Sequence, residues 1–134
     1  MFKKILVPVD LRREASWRRA LPVAAEQAKF YGAGVTVLYV GPAAWPMDPE
    51  PHEDDERIAR LRALVEEHFG DPSEVEIRAE HHNAPHRSIL AIASDEAFDL
   101  IVMNSHEPRQ RDHLIGSHAS EVVRHAQCSV LVVR

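Results

Sequence analysis

The sequence predicts an α/β fold, one domain with a five-stranded, mostly parallel sheet and helices on both faces. Short apolar runs that suit strands alternate along the chain with segments of helical periodicity. Most of the apolar runs are continuous, as expected for strands that are covered on both faces. The chain has 134 residues, 45% of them hydrophobic, which is enough for one core and too little for two. We therefore expect residues 1–134 to form a single domain.

Each element is predicted from its own local pattern. The strands are expected over residues 2–7, 35–40, 74–80, 100–103 and 129–133, and the helices over residues 17–31, 53–69, from 85 onward, and 117–125. Ser16 is positioned to cap the first helix and Gly32 to end it, although Pro22 would remove a backbone hydrogen bond from an interior turn. Pro85 stands where a helix tolerates proline, at its first position. Residues 41–51, rich in proline, are predicted to be a loop.

Composition excludes several classes of protein. Sixteen basic and twenty-one acidic residues give a net charge of −5, with no basic stripe, so we expect no nucleic-acid binding. Cys128 is the only cysteine, so the chain has no internal disulfide and no thiolate zinc cluster. The amino-terminal apolar run is too short for a signal peptide, and no run approaches the ~20 residues of a membrane span. We expect a cytoplasmic protein without membrane insertion.

The histidines invite a metal hypothesis, which we do not favour. They form two groups, one of His81, His82 and His86 and one of His106, His113 and His118. Neither group has the spaced carboxylate or thiolate partner that is typical of a metal site. The expectation is therefore that they are polar loop residues and that the chain holds no metal ion.

The segment from Leu100 to Arg134 predicts a βαβ unit with a helix that begins at Gly116-Ser117. The backbone N–H groups at a helix N-terminus lack intrahelical partners and carry partial positive charge. This position follows the carboxyl end of a strand, and it suits an anion, most often a phosphate. Because parallel strands end together, the residues at the ends of the other strands are expected at the same edge of the sheet. They are Pro8, Val9 and Asp10, then Val40, then Met103 and Asn104.

The last predicted strand is apolar and ends one residue before the last residue of the sequence. An exposed hydrophobic edge is an aggregation hazard unless another strand covers it. A second copy related by a two-fold axis would cover it, so we expect a homodimer joined through this C-terminal strand. The alternative is that neighbouring strands of the same chain already bury it.

Several blocks together resemble the universal stress protein (UspA-like) family over essentially the whole chain. They are Lys-Ile-Leu-Val-Pro-Val-Asp at residues 4–10, Val-Thr-Val-Leu-Tyr-Val at 35–40, Asp-Leu-Ile-Val-Met at 99–103, and Gly116-Ser117 with the segment from Glu121 to Arg134. Residues 105–108 and 114–119 look closest to the UspF/UspG-like subfamily. The resemblance implies a Rossmann-like domain of the adenine nucleotide alpha hydrolase-like type, acting in stress response.

One motif departs from the family pattern. Many members bind ATP through Gly-x-x-Gly, nine residues, then Gly-Ser/Thr. Here Asn104 and Glu107 stand at the two loop glycines, and the spacing from Glu107 to Gly116 is one residue shorter. The UspF-like subgroup carries a similarly shortened loop and is grouped with the nucleotide binders.

The resemblance implies a role for each matching residue toward an adenine nucleotide, ATP first and otherwise ADP or AMP. Asp10 would accept hydrogen bonds from the ribose hydroxyls, and Asn104 stands in the glycine loop. Glu107 would repel a triphosphate, and Arg109 and Arg111 would offset that repulsion as phosphate contacts. The remaining residues would wall the base or meet the phosphates: Pro8, Val9, Val40 and Met103 around the adenine, and Gly116, Ser117 and the His118 backbone on the phosphates. Whether Mg²⁺ accompanies the phosphates stays open.

The sequence offers little support for enzymatic turnover. It contains no Gly-x-Ser-x-Gly elbow and no Gly-x-x-x-x-Gly-Lys-Ser/Thr loop. No catalytic residue is therefore assigned. The leading hypothesis is a non-enzymatic, regulatory dimer whose nucleotide-bound state alters its contact with a partner protein. The alternatives are a dimeric interaction module that binds no nucleotide, and a slow ATPase.

Overall fold

Five parallel strands form one sheet within the part of the chain that the structure describes. A computed structural model describes residues 1–11, 13, 16–42, 51–105 and 117–134. In chain order the elements are β1 (Lys4–Val9), α1 (Ala20–Tyr31), β2 (Gly34–Gly41), α2 (Pro51–Phe69), β3 (Val75–His81), α3 (Pro85–Asp95), β4 (Leu100–Asn104), α4 (Ser117–His125) and β5 (Ser129–Val133). The strand order is β3-β2-β1-β4-β5. The predicted α/β class is confirmed, and all four strand pairs are parallel.

The sheet separates two apolar cores, one on each face. On one face Ile5, Val7 and Val9 of β1 pack with α1 and α2, and on the other Leu6 packs with α3 and α4. Successive side chains of a strand point to opposite faces, so one strand supplies both cores. Residues 5 to 9 of β1 are all buried, which explains why this central strand has a continuous apolar sequence.

The strand order reverses at β1, and a crevice opens there. The chain runs from β1 outward through β2 to β3, then returns to place β4 on the other side of β1. The β1–β2 pairing extends to Val9 and Tyr39, whereas the β1–β4 pairing ends at Leu6 and Ile101. Pro8 follows this point, and a proline has no N–H to donate to a neighbouring strand. The absent N–H of Pro8 therefore costs no hydrogen bond to β4, whose pairing with β1 has already ended.

The first helix differs from the sequence prediction in where it begins. We expected it from residue 17 with Ser16 as its cap, but α1 begins at Ala20, and Arg19 in the cap position makes no side-chain cap bond. One reason is Pro22. A helix that begins at Ala20 places Pro22 in its first turn, where the backbone N–H would have no intrahelical partner in any case. Gly32 ends the helix at φ 64°, as predicted.

The remaining boundaries agree with the prediction to within a few residues. The bounds of α4 and β5 coincide with those predicted, and Pro85 opens α3 as expected. Strand β1 runs two residues further toward its carboxyl end than predicted, and α2 begins at Pro51 rather than at residue 53. Residues 43–50 of the predicted proline-rich loop lie outside the described chain. No helix within the described ranges is both long and apolar enough to cross a membrane.

Candidate functional site

A cleft lies at the carboxyl ends of β1 and β4, where the strand order reverses. Open parallel sheets bind their ligands at this position, because the crossover connections leave in opposite directions and the strand ends are left uncovered. The cavity has a volume of about 150 Å³. The residues that line it are Pro8, Val9, Asp10, Arg13, Ser16, Val40, Pro85, Ile89, Met103, Asn104, His118 and Ala119.

Most of the residues predicted for the site come together in this cleft. Seven of the eleven line it, namely Pro8, Val9, Asp10, Val40, Met103, Asn104 and His118. Arg109, Arg111 and Gly116 lie outside the described chain. Ser117 is the first residue of α4, and its side chain also lies outside the described part. The roles assigned to these residues stay predictions.

The cleft also includes residues that the sequence analysis did not select. They are Arg13 and Ser16 from the segment after β1, Pro85 and Ile89 from α3, and Ala119 from α4. One signal could have found the α3 residues. Pro85 marks the start of a helix that follows a parallel strand, so that helix begins at the edge of the sheet where the ligand crevice lies. The position of Arg13 depends on backbone turns that have no sequence signature.

Ser16 folds the segment after β1 back onto Asp10. The Ser16 hydroxyl accepts a hydrogen bond from the Asp10 N–H at 2.8 Å and donates one to the Asp10 carbonyl at 2.9 Å. The Arg13 N–H donates to that same carbonyl at 3.0 Å, and the Ser16 N–H donates to the Arg13 carbonyl at 2.9 Å. We call these four bonds the Asp10 clasp. The clasp holds the backbone of Asp10 and Arg13 in place at the cleft.

Asn104 connects the cleft to α1. Its side-chain oxygen accepts a hydrogen bond from the Ala20 N–H at 2.7 Å, across 84 residues of sequence. The first N–H groups of a helix have no partner within the helix, and a side-chain oxygen usually supplies one from the preceding residues. Here β4 supplies it. Asn104 therefore acts as the cap of α1 and also lines the cleft.

Apolar side chains form one wall of the cleft, where α3 and α4 meet the sheet. Val40, Ile89, Met103 and Ala119 are between 2% and 7% exposed and belong to the same core. A wall of this kind can contact the face of a flat ring without any hydrogen bond. These side chains also pack in the core, so the fold itself holds the wall in place.

Two histidines lie side by side where α3 and α4 begin. The ring centroids of His86 and His118 are 5.9 Å apart. The His86 Nδ1 atom is buried and has no hydrogen-bond partner within the described chain. The described residues contain no group of three or more His, Cys, Asp or Glu side chains that could hold a metal ion. His106 and His113 of the second predicted histidine group lie outside them.

A larger depression of about 900 Å³ lies at the opposite end of the sheet, between the C-terminal ends of α1 and α2. It contains none of the predicted site residues. Its position at the amino ends of the strands also argues against it, because ligands of open parallel sheets bind at the carboxyl ends. We therefore assign the candidate site to the smaller cleft.

The fold and the cleft define an open parallel α/β domain with a ligand crevice at its switch point. The sequence matches the model of the Universal stress protein family over residues 1–134. The chain belongs to the universal stress protein family. It is 31% identical over 145 residues to universal stress protein G of Salmonella typhimurium, and the match covers all of both chains. The similarity to a protein G agrees with the resemblance to the UspF/UspG-like subfamily.

Solved structures share the fold at lower identity. A universal stress protein from Archaeoglobus fulgidus in complex with dAMP superposes with a TM-score of 0.73 at 24% identity, covering 99% of this chain and 98% of that one. A universal stress protein in complex with cAMP superposes with a TM-score of 0.72 at 19% identity, covering 99% and 97%. At these identities the similarity establishes the fold alone.

Proposed function

We propose that this protein binds an adenine nucleotide, with ATP as the leading candidate, in the cleft between β1 and β4. It would act in the cytoplasm as a regulatory dimer whose nucleotide state changes its contact with a partner protein. The observation that carries the proposal is that one cleft combines an apolar wall, the Asp10 carboxylate and the first turn of α4. A nucleotide has a flat base, a sugar with hydroxyl donors and an anionic tail, and these three features match the three parts of the site.

Each part of the cleft has chemistry that suits one part of the ligand. Val40, Ile89 and Met103 offer apolar surface to a base. The Asp10 carboxylate has acceptor capacity for two hydroxyl groups of a ribose. His118 and Ala119 lie in the first turn of α4, where backbone N–H groups and the helix dipole favour an anion.

The structures with bound nucleotides support the choice of adenine. The two universal stress proteins in complex with dAMP and with cAMP have the fold of this chain over nearly its full length. Both ligands are adenine monophosphates. These complexes support an adenine base in the ligand of this chain. The proposal of a triphosphate rests instead on the resemblance of the sequence to ATP-binding members of the family.

The two edges of the sheet support a dimer through β5. The edge strand β3 carries charged residues, and Arg78 pairs with Glu80 at 3.0 Å and also with Glu96. Charged side chains discourage another strand from pairing with an edge. The edge strand β5 has four consecutive apolar residues, from Val130 to Val133, and all four are half-buried. A second copy on β5 would cover this apolar edge.

Titration calorimetry with ATP, ADP and AMP, with and without Mg²⁺, tests the binding. The proposal expects saturable binding of at least one of these nucleotides with one site per chain. The absence of binding at millimolar nucleotide would contradict it, and would favour the interaction module without nucleotide that Asn104 and Glu107 at the glycine positions suggest. Release of phosphate from ATP by the purified protein would instead identify the slow ATPase.

A further inference from the structure

Arg13 lies in the cleft lining beside Asp10, and no sequence pattern had marked it. We propose that the Arg13 guanidinium binds a phosphate of the ligand, and that Arg13 makes the cleft select nucleotides over nucleosides. The inference rests on the proposed function, because it assigns the phosphate contact within that same site. It adds a residue to the site and a discrimination that the apolar wall and Asp10 do not provide.

The backbone of Arg13 is held at the cleft by the Asp10 clasp. The Arg13 N–H donates to the Asp10 carbonyl at 3.0 Å, and the Arg13 carbonyl accepts from the Ser16 N–H at 2.9 Å. Both backbone groups are thus engaged with residues that also line the cleft. Binding would have to order the side chain alone, which lowers the entropic cost of the contact.

The Arg13 side chain is available for a ligand. It is exposed, and its guanidinium makes no hydrogen bond or ion pair with any residue of the described chain. Two other arginines that neighbour this end of the sheet are engaged with backbone oxygens. Arg60 donates to the Leu11 carbonyl at 3.1 Å, and Arg19 donates to a backbone oxygen of Arg134. Among the arginines and lysines of the described chain, Arg13 is the one that lines the cleft.

The charge balance of the cleft gives Arg13 a further effect. Among the lining residues that the structure describes, Asp10 is the only carboxylate and Arg13 the only arginine or lysine. A carboxylate in the lining repels a phosphate, whereas a guanidinium attracts it. The guanidinium of Arg13 also offers two parallel N–H donors in a geometry that matches two phosphate oxygens. The cleft then favours a ligand that carries hydroxyl groups near Asp10 and an anion near Arg13.

Binding of AMP and of adenosine to Arg13→Gln tests the inference. Calorimetry compares the wild-type chain, Arg13→Gln, Arg13→Lys, and the control Arg62→Gln, which changes an exposed arginine of α2 outside the cleft. We expect Arg13→Gln to weaken AMP binding about 10- to 100-fold and to change adenosine binding less than about two-fold. Arg13→Lys should recover part of the loss, because it keeps the charge without the planar fork. The control should match the wild type.

The outcomes separate the inference from the function on which it rests. If the wild type binds AMP and Arg13→Gln binds it equally well, the inference is wrong and the nucleotide function stands. The same conclusion follows if Arg13→Gln loses affinity for AMP and for adenosine to the same degree. If the wild type binds none of ATP, ADP, AMP and adenosine, both are wrong. Because Arg13 is exposed, we expect the thermal unfolding midpoint of Arg13→Gln to equal that of the wild type, so a folding defect would be visible directly.

Discussion

The side-chain oxygen of Asn104 lies 2.7 Å from the backbone nitrogen of Ala20, and this bond joins the end of β4 to the start of α1. The backbone N–H is a donor, so the atom that it meets must be the amide oxygen. The oxygen is therefore committed to α1, and the amide nitrogen is the group of Asn104 left to donate to a ligand. One residue thus contributes both to the stability of the fold and to the candidate site.

Replacing Asn104 should separate these two contributions. Asn104→Ala removes the cap of α1, and we expect the free energy of unfolding to fall by about 1 kcal/mol. Asn104→Asp keeps the acceptor beside the helix N-terminus and should preserve most of the stability, but its charge should weaken nucleotide binding. Urea unfolding and calorimetry measure the two effects. Equal stability of the alanine variant and the wild type would show that the bond to Ala20 contributes nothing.

Asp10→Ala should weaken AMP binding by about 10- to 100-fold if the carboxylate accepts the ribose hydroxyls. The same substitution should have a smaller effect on 2′-deoxy-AMP, because that ligand lacks one of the two donors. Asp95→Ala, which removes an exposed carboxylate of α3 away from the cleft, is the control. An identical loss for AMP and for 2′-deoxy-AMP would mean that Asp10 does not contact the 2′-hydroxyl.

A lysine on β5 should abolish the dimer, whereas a lysine on the opposite edge should not. Val132→Lys places a charge on the edge where the second copy is proposed to pair. Ile77→Lys makes the matched change on β3, where the side chain is also half-buried. Light scattering after size-exclusion chromatography should give the monomer mass for Val132→Lys and the dimer mass for Ile77→Lys. A wild type that elutes as a monomer would contradict the proposed dimer.

Ala97→Gly should stabilise the protein by about 0.5–1 kcal/mol. Ala97 follows α3 with φ 55°, the one positive φ among the described residues other than glycine. The N–H groups of Ala97 and Phe98 donate to the carbonyls of Ser94 and Ala93, at 3.2 and 2.9 Å. This is the Schellman arrangement, which glycine adopts without strain. Ala91→Gly in the exposed middle of α3 is the control, and it should destabilise by about the same amount. A loss of stability in both variants would contradict the prediction.

The Cys128 thiol should react slowly in the folded protein. Burial raises the pKa of Cys128, and the charge of Asp99 adds to this effect. Because the folded pKa is raised, the neutral thiol contributes fully to the free energy of unfolding at pH values below the unfolded pKa, near 9. This contribution is lost as the pH rises through the folded pKa. At pH 8 we expect the thiol to react with a disulfide reagent more slowly in native protein than in urea. Faster reaction of the native protein would show that the thiol is activated.

Elements with a strong local pattern could be predicted from the sequence, and elements set by distant contacts could not. The bounds of α4 and β5 follow from amphipathic and apolar periodicity alone. The start of α1 was misplaced because its cap comes from Asn104, 84 residues away, whereas Ser16 is used in the Asp10 clasp. The left-handed conformation of Ala97 was not foreseen, because the burial of Phe98, which is 4% exposed, favours it over the local preference of alanine.

The site could be predicted as far as the topology determines it. Parallel strands end at one edge, so the residues that follow β1, β2 and β4 were expected together, and the structure brings them into one cleft. The lining from α3 and the position of Arg13 depend on helix packing and on the turns after β1. Those features depend on contacts between residues that are distant in sequence, and the hydrophobic periodicity of one segment does not reveal such contacts.

The nucleotide content of freshly purified protein tests the central claim most directly. The protein is denatured, and the supernatant is separated by anion exchange against adenosine, AMP, ADP and ATP standards, with Asp10→Ala purified in parallel as the matched control. The account predicts an adenine nucleotide close to one per chain in the wild type and much less in the variant. No nucleotide in the wild type, together with no heat of binding when ATP and Mg²⁺ are added, would contradict it.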